Sequence, residues 1–231
     1  MNKELLIFGS NGALGSGVVS VLSKKNFNNI YLFNQGENKN KLDGNNIVYT
    51  QIDDLSIEDN TKKAFDVVKT GKDKLLFLFS TIGGYIGGKN IWEISSDEVD
   101  RMVNINIKTN FYLAKYFAQK VKECAGGSII FTAAYVGIHP EKTKSIYGAT
   151  KAALIHLVKT LALEGKEINL TANVIAPFII DTPANREWET SGDYEGWIKT
   201  EEIGEIAFDI FNKFNFYNSN VIELKTRFEL K

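Results

Sequence analysis

Short apolar runs alternate with longer amphipathic stretches along the 231-residue chain. The short runs are apolar at consecutive positions and are bounded by turn residues, which is typical of strands buried on both faces. They predict strands over residues 5–8, 30–33, 47–52, 75–79, 128–132, 171–175 and 220–225. The stretches between them have helical periodicity. They predict helices over residues 13–25, 56–69, 97–123, 146–165 and 201–214.

This alternation of strands and helices predicts an α/β fold: a doubly wound parallel sheet with helices on both faces. We expect one Rossmann-like domain over residues 1–231, because this length and a hydrophobic content of 44% suffice for one buried core. Ligands of such sheets bind beyond the carboxyl ends of the strands. The residues that carry chemistry should therefore lie in loops that follow strands.

Composition excludes several classes of protein. The net charge is -1 and the arginines are confined to positions 101, 186 and 227, which disfavours a partner made of nucleic acid or anionic membrane. The single cysteine, Cys124, rules out a disulfide within the chain and a cysteine-rich zinc cluster, and favours a reducing compartment. The N-terminus runs directly into a predicted strand, and no apolar run reaches membrane-spanning length. We therefore expect a soluble cytoplasmic protein.

A glycine-rich turn, Gly9 to Gly15, joins the first predicted strand to the first predicted helix. Glycines allow the tight turn and let backbone N–H groups approach a pyrophosphate, while the helix N-terminus favours the anion. The turn therefore predicts binding of NAD or NADP, the alternative being a turn that binds nothing. The expected contacts are Gly9, Asn11, Gly12, Ala13, Leu14 and Gly15.

The end of the second predicted strand bears on the choice between the two dinucleotides. An acid there would bind the ribose hydroxyls of NAD, whereas a nearby basic residue would accept the phosphate of NADP. This chain has Asn34 at that position, followed by Lys39 and Lys41, which either reach a phosphate or are ordinary surface charges. We favour NADP and leave NAD open. Asp53, after the third predicted strand, is expected to accept from the adenine amino group or to cap the next helix.

Hydride transfer to a C=O or C=N group requires a proton donor beside the nicotinamide, and a tyrosine whose pKa a lysine lowers can serve. A spacing of four places both side chains on one face of a helix. The spacing occurs at Tyr85/Lys89, Tyr116/Lys120 and Tyr147/Lys151. Tyr85 lies in a glycine-rich loop and Tyr116 in the middle of a predicted helix. Tyr147 begins a helix one loop after the fifth strand, so we select Tyr147 and Lys151.

Taken in order, these segments resemble the short-chain dehydrogenase/reductase family, and the resemblance covers nearly the whole chain. The segments are the turn 9–15, Asp53, Asn106, residues 147–151 and residues 177–182. The resemblance implies that Tyr147 is the general acid and that Lys151 binds the ribose while lowering the pKa of Tyr147. It also implies that Asn106 holds a water of the proton relay, although Asn106 also fits an ordinary helix residue.

The resemblance further implies cofactor contacts outside the glycine-rich turn, a small-molecule substrate and self-association. The implied contacts are Gly83, Tyr147, Lys151, Pro177, Ile180 and Thr182. The predicted helices 97–123 and 146–165 resemble the pair that forms a four-helix interface in this family. A homodimer or a homotetramer is expected on that basis.

The sequence departs from the family pattern at two places. The family usually has a serine about thirteen residues before the tyrosine, where this chain has Ala134, and Asn-Asn-Ala-Gly is replaced by residues 80–84, Ser-Thr-Ile-Gly-Gly. A missing hydrogen-bond donor weakens the stabilisation of a developing alkoxide. Reduction of an ordinary ketone is therefore not the favoured reaction.

These departures resemble the dihydropteridine reductase branch, which shares the alanine, residues 12–16, residues 83–88 and residues 181–186. The resemblance implies a quinonoid dihydropterin substrate, whose conjugated C=N group accepts hydride without forming an alkoxide. That branch usually prefers NADH and has an acid where this chain has Asn34. The aromatic residues Trp188, Tyr194 and Trp197 would either stack on a flat substrate or pack among themselves. A protein that binds NAD(P) to sense redox state, without turnover, is the alternative function.

Overall fold

In the computed structural model, parallel strands form one sheet that extends on both sides of the first strand. The structure describes residues 1–40, 42, 44–189 and 191–226. Within them the strands are β1 (Asn2–Phe8), β2 (Asn29–Asn34), β3 (Ile47–Gln51), β4 (Lys74–Ser80), β5 (Gly126–Thr132), β6 (Leu170–Pro177) and β7 (Val221–Leu224). Their order across the sheet is β3-β2-β1-β4-β5-β6-β7, all parallel. The predicted doubly wound parallel sheet is confirmed.

Helices cover both faces of this sheet. They are α1 (Ala13–Leu22), α2 (Glu58–Ala64), α3 (Ser96–Val103), α4 (Thr109–Lys122), α5 (Ser145–Glu164), α6 (Pro183–Arg186) and α7 (Thr200–Asn212). Successive strand residues point to opposite faces. Leu6 and Phe8 of β1 pack in a core with α4 and α5, and Leu5 and Ile7 pack in a second core with α1 and α7. The predicted helices on both faces are therefore also confirmed.

The direction of winding reverses between β1 and β4, which are neighbours in the sheet. The glycine-rich turn and the loop after β4 follow these two strands, and Thr81 N donates to the last carbonyl of β1, at Phe8, over 3.0 Å. The carboxyl edge at such a reversal is where open α/β sheets bind ligands. The fold thus brings the glycine-rich turn and the loop after β4 together.

Two helices differ most from the predicted bounds. The predicted helix 97–123 is interrupted by a π-helical segment, Asn104–Lys108, between α3 and α4. The predicted helix 56–69 ends early, since α2 passes into a 3₁₀ turn at Phe65–Val67. None of the helices in the described part of the chain is both long and apolar enough to span a membrane.

Candidate active site

Two cavities meet at the carboxyl edge of the sheet and share the wall residues Leu14, Thr81 and Gly83. The larger, about 890 Å³, lies between the glycine-rich turn, the loops after β2, β3 and β4, and the segment from α3 to α4. The smaller, about 360 Å³, lies between the loop after β4, the segment from β5 to α5, and the segment after β6. Together they form one elongated cleft with two compartments.

The glycine-rich turn forms the floor of the larger cavity. Gly9 has φ 82°, in the left-handed region, and a Cβ atom on Gly15 would lie 2.1 Å from the Gly9 carbonyl oxygen. Larger residues would therefore disrupt the turn at both positions. Helix α1 begins after Gly12 without a side-chain cap, so its first N–H groups remain available to an anion. All six predicted contacts in the turn, Gly9 and residues 11–15, line this cavity.

The loop after β2 is tied to the turn through Asn11. Its Nδ2 donates to the Glu37 carbonyl over 2.8 Å, and its Oδ1 accepts from the Lys39 N–H over 2.9 Å. Asn34 lines the larger cavity and is buried, and its Oδ1 accepts a hydrogen bond from the Ser10 hydroxyl. The side chain of Lys39 is exposed, and Lys41 lies outside the described residues. This end of the cavity therefore presents amide groups at the position where an acid would select NAD.

After β3, the cavity contacts a different aspartate from the predicted one. Asp53 and Asp54 are both exposed, but it is Asp54 that lines the larger cavity, where it accepts from the Ser56 N–H over 2.8 Å. The alternative role of Asp53 as a helix cap is wrong, because Ile57 occupies the N-cap position of α2. The strand ends at Gln51 instead of Ile52, and the chain turns so that the second of the two aspartates faces the cavity.

Tyr147 and Lys151 both line the smaller cavity, where the Lys151 Nζ lies 6.0 Å from the centre of the Tyr147 ring. Lys151 is buried and donates to the Thr132 carbonyl over 2.9 Å. Burial lowers the pKa of Lys151 to about 8. Burial raises the pKa of Tyr147 well above its ordinary value, and the nearby Tyr85 and Glu141 raise it further. The expected lowering of the Tyr147 pKa by Lys151 is wrong for this structure, because desolvation of the phenolate dominates.

The other two tyrosines with a lysine four residues later have different surroundings. The Tyr116 hydroxyl donates to Glu58 over 3.0 Å, which makes it part of the contact between α2 and α4. Tyr85 lines the smaller cavity, and its ring meets that of Tyr147 edge-to-face with centroids 5.0 Å apart. Its lysine, Lys89, instead pairs with Glu98 at 2.6 Å. Tyr85 therefore belongs to the site without a lysine partner of its own.

Asn106 lies in the π-helical segment and is fully buried. Its Oδ1 accepts from the Gly84 N–H over 2.9 Å, and its Nδ2 donates to the Gly84 carbonyl over 3.1 Å and to the Thr150 hydroxyl over 3.0 Å. A Cβ atom on Gly83 would lie 2.7 Å from Lys151 Nζ and 3.1 Å from Asn106 Oδ1. Asn106 therefore holds the loop after β4 against Lys151, and its part in a proton relay stays a prediction.

The segment after β6 closes the smaller cavity. Pro177 and Ile180 line it, as does Asn185, whose Nδ2 donates to the Ile180 carbonyl over 2.8 Å. Thr182 serves as the N-cap of α6, with its hydroxyl accepting from the Asn185 N–H over 3.2 Å. The predicted contact of Thr182 with the cofactor therefore stays a prediction.

The aromatic residues that follow α6 pack on one another. Trp188 stacks on Trp197 with centroids 5.5 Å apart, Tyr194 meets Trp197 at 5.0 Å, and Arg186 lies 4.5 Å above the Tyr194 ring. Trp188 also lines the smaller cavity. The cluster is thus a packed unit of which one ring remains accessible to a ligand.

Several residues of the site were not foreseen from the sequence. Ala134, named from the sequence, and Tyr85, set aside there as proton donor, both line the smaller cavity. The unforeseen residues beside them are Thr81, Glu141, Lys144 and Asn185. Thr81 donates to the Phe8 and Gly9 carbonyls over 3.0 and 3.1 Å, so its hydroxyl connects β1 to β4. Position directly after a strand was the signal that could have identified Thr81. No comparable signal existed for Glu141 and Lys144, which reach the cavity through loop geometry.

Comparisons with known proteins agree with this fold and identify a family. Residues 3–192 match the family model for short chain dehydrogenases. A dihydropteridine reductase of Dictyostelium discoideum is 30% identical over 216 residues, covering 90% of this chain and 87% of that protein. A 3-oxoacyl-[acyl-carrier-protein] reductase of Rickettsia typhi is 27% identical over 178 residues, covering 77% and 73%. The solved structure of ElxO with NADP bound has a TM-score of 0.83 at 22% identity and covers 97% of both chains.

Proposed function

The chain belongs to the short-chain dehydrogenase family and is an oxidoreductase of that type. From this premise we propose that it reduces quinonoid dihydropterin or a similar conjugated C=N or C=O compound. In this proposal NADPH supplies the hydride, becoming NADP⁺, and Tyr147 donates the proton. The alternative is a protein that binds NAD(P) and senses redox state with little turnover.

The observation that carries the proposal is the absence of a hydroxyl at Ala134, in the cavity wall that also holds Tyr147. Ala134 is buried at 6% exposure and lines the smaller cavity next to Ala133. An alkoxide forming there would lack the hydrogen-bond donor that usually stabilises it. A C=N acceptor forms no alkoxide, so one proton donor is enough. The match with a dihydropteridine reductase at 30% identity supports the same choice.

The shape of the smaller cavity supports a flat substrate. Tyr85, Tyr135, Phe178 and Trp188 line it together with Tyr147. Aromatic walls offer large apolar contact surfaces to a conjugated ring. At neutral pH Tyr147 remains protonated, because burial raises its pKa. It therefore enters the reaction with the proton that it must donate.

The larger cavity fits a dinucleotide. In the proposal, the uncapped start of α1 and the turn 9–15 hold the pyrophosphate, Asn34 faces the ribose and Asp54 accepts from the adenine amino group. Gly83 and Lys151 would contact the nicotinamide ribose, with Pro177 and Ile180 beside the ring. We favour NADP over NAD, because β2 ends in Asn34 instead of an acid and the Lys39 backbone is fixed beside the turn.

Tyr147→Phe tests the proposed function most directly. With quinonoid 6-methyldihydropterin and NADPH, we expect turnover to fall by about 100-fold or more, because loss of a general acid usually has this effect. Tyr116→Phe is the matched control, since Tyr116 has the same lysine spacing but lies on the contact between α2 and α4. Affinity for NADPH, measured by fluorescence, should be retained in both variants.

The alternative function predicts a different result. If NADPH binds but neither a quinonoid dihydropterin nor a carbonyl compound is reduced in a Tyr147-dependent way, the proposal of a reductase is wrong. Equal turnover of the dihydropterin in wild type and Tyr147→Phe would show that Tyr147 is not the proton donor, but it would still support the proposed substrate.

A further inference from the structure

We propose that the ion pair between Glu141 and Lys144 recognises the 2-amino-4-oxo edge of a pterin ring and so determines substrate specificity. This inference rests on the proposed function, because it concerns the same cavity and the same class of substrate. It assigns a role to two charged side chains that the hydride and proton transfers leave unused.

The pair is built into the wall of the smaller cavity. Lys144 Nζ lies 2.6 Å from Glu141 Oε2, and both residues line the cavity together with Tyr147. The side chains are only 30% and 32% exposed. The loop that carries them is attached to the loop after β4, because Gly88 N donates to the Thr143 carbonyl over 3.0 Å. The pair is therefore partly buried and held at the site.

The polar groups of the pair match those of a 2-amino-4-oxopyrimidine in order. The edge of that ring presents a carbonyl acceptor, a ring N–H donor and an amino N–H donor in a row. An ammonium group offers donors only, and a carboxylate accepts two hydrogen bonds side by side. Lys144 can thus donate to the carbonyl while Glu141 accepts from both N–H groups. The two charges neutralise each other, so a neutral ring leaves no unpaired charge in the cavity.

The rest of the cavity agrees with this orientation. Tyr85, Phe178 and Trp188 provide aromatic surface for the faces of the ring, so recognition of its edge depends on polar side chains. Glu141 lies close enough to Tyr147 for its charge to contribute to the raised pKa of the phenol. A ring held at Glu141 would therefore lie near the proton donor.

The inference is tested by comparing pterin with lumazine, in which an oxygen replaces the 2-amino group. Dissociation constants are measured by fluorescence on protein saturated with NADP⁺. We expect wild type to prefer pterin by about tenfold or more, because hydrogen bonds to a charged group are among the strong ones and lumazine turns an acceptor toward Glu141. Glu141→Gln should reduce this ratio to about one, since the amide presents one acceptor and one donor.

Lys142→Gln is the matched control, because Lys142 is exposed and adjacent to the pair in sequence. It should retain the pterin preference, and unchanged affinity for NADP⁺ would show that both variants are folded. A ratio that is the same in Glu141→Gln and wild type overturns the inference, as does failure of pterin to bind. Turnover of quinonoid dihydropterin is scored separately. Pterin binding that depends on Glu141, without turnover, would support the inference and overturn the proposed function. Turnover with the same preference for pterin over lumazine in Glu141→Gln and wild type would support the proposed function and overturn the inference.

Discussion

Burial controls the protonation of Tyr147 and Lys151, the pair that the sequence selects as the proton donor and its partner. Their spacing on one helix could be read from the sequence, because it is a local property of α5. The direction of their pKa shifts could not, since desolvation depends on the walls that distant segments contribute. Glu141 and Lys144 illustrate the same limit, because their position in the cavity depends on how residues 138–144 fold against the loop after β4.

The depressed pKa of Lys151 makes the stability of the protein depend on pH. The folded state holds this lysine with a pKa of about 8, against 10.5 in an unfolded chain, so the unfolded state binds more protons between these values. The free energy of unfolding should therefore rise with pH in that window. The rise should be about 2 kcal/mol between pH 7 and 9.5.

Lys151→Met should remove most of this rise, because methionine does not titrate and so binds no protons in either the folded or the unfolded state. Urea unfolding at pH 7, 8 and 9.5 measures the effect in both proteins without cofactor. Lys159→Met is the control, because Lys159 lies on the same helix and its side chain is exposed. Equal pH dependence in wild type and Lys151→Met would show that Lys151 is not the source.

The start of α1 and the break between α3 and α4 show what the pattern of a segment can and cannot predict. The turn 9–15 was predictable, because its glycines stand between a buried strand and a helix. The π-helical segment Asn104–Lys108 was not, because apolar periodicity continues through it. Its geometry coincides with the hydrogen bonds between Asn106 and Gly84, a contact between residues that are 22 positions apart in the chain.

Two alanine substitutions at the start of α1 should separate folding from binding. A Cβ atom on Gly15 would lie 2.1 Å from the Gly9 carbonyl, whereas one on Gly12 meets its nearest atom at 3.5 Å. We expect Gly15→Ala to lower the free energy of unfolding by about 1–3 kcal/mol, as overpacking usually does. Gly12→Ala should leave stability nearly unchanged but weaken NADPH binding, because Gly12 lines the larger cavity.

Chemical denaturation and NADPH titration of both variants provide the measurements. If Gly15→Ala unfolds with the same free energy as wild type, the turn accommodates the added methyl group and the first expectation is wrong. If Gly12→Ala binds NADPH as tightly as wild type, the pyrophosphate does not bind at this turn.

The sheet order of the whole molecule follows from elementary rules once the strands are known. Buried parallel strands joined by helices wind outward from a central strand in both directions, so alternation in the sequence was enough to predict the sheet and the edge at which ligands bind. Which of two adjacent aspartates, Asp53 or Asp54, faces the cavity was beyond the same reasoning. A difference of one residue in the end of β3 changes the side from which the carboxylate projects.

Self-association of the chain is a further prediction. Phe111 on α4 is 48% exposed and Leu163 on α5 is 64% exposed. These helices lie in the two predicted segments that resemble the interface helices of the family. We expect a homodimer by light scattering at micromolar concentration, or a homotetramer built from such dimers.

The pair of substitutions Phe111→Glu and Leu163→Glu should shift the mass toward the 25.8 kDa of one chain, because burying carboxylates in an interface is unfavourable. Ile57→Glu, which changes an exposed residue before α2, should not. A monomeric wild type would refute the prediction.

The hydrogen bonds of Asn11 have a consequence for any attempt to redesign cofactor preference. The loop after β2, which would distinguish a phosphate from a free hydroxyl, is attached by its backbone at Glu37 and Lys39 to the turn that would receive the pyrophosphate. The two recognition elements are therefore mechanically coupled. Grafting a loop from an NADH-specific relative would displace the anion cradle unless the graft retained both backbone partners of Asn11, so an engineer should exchange side chains on this loop and preserve its path.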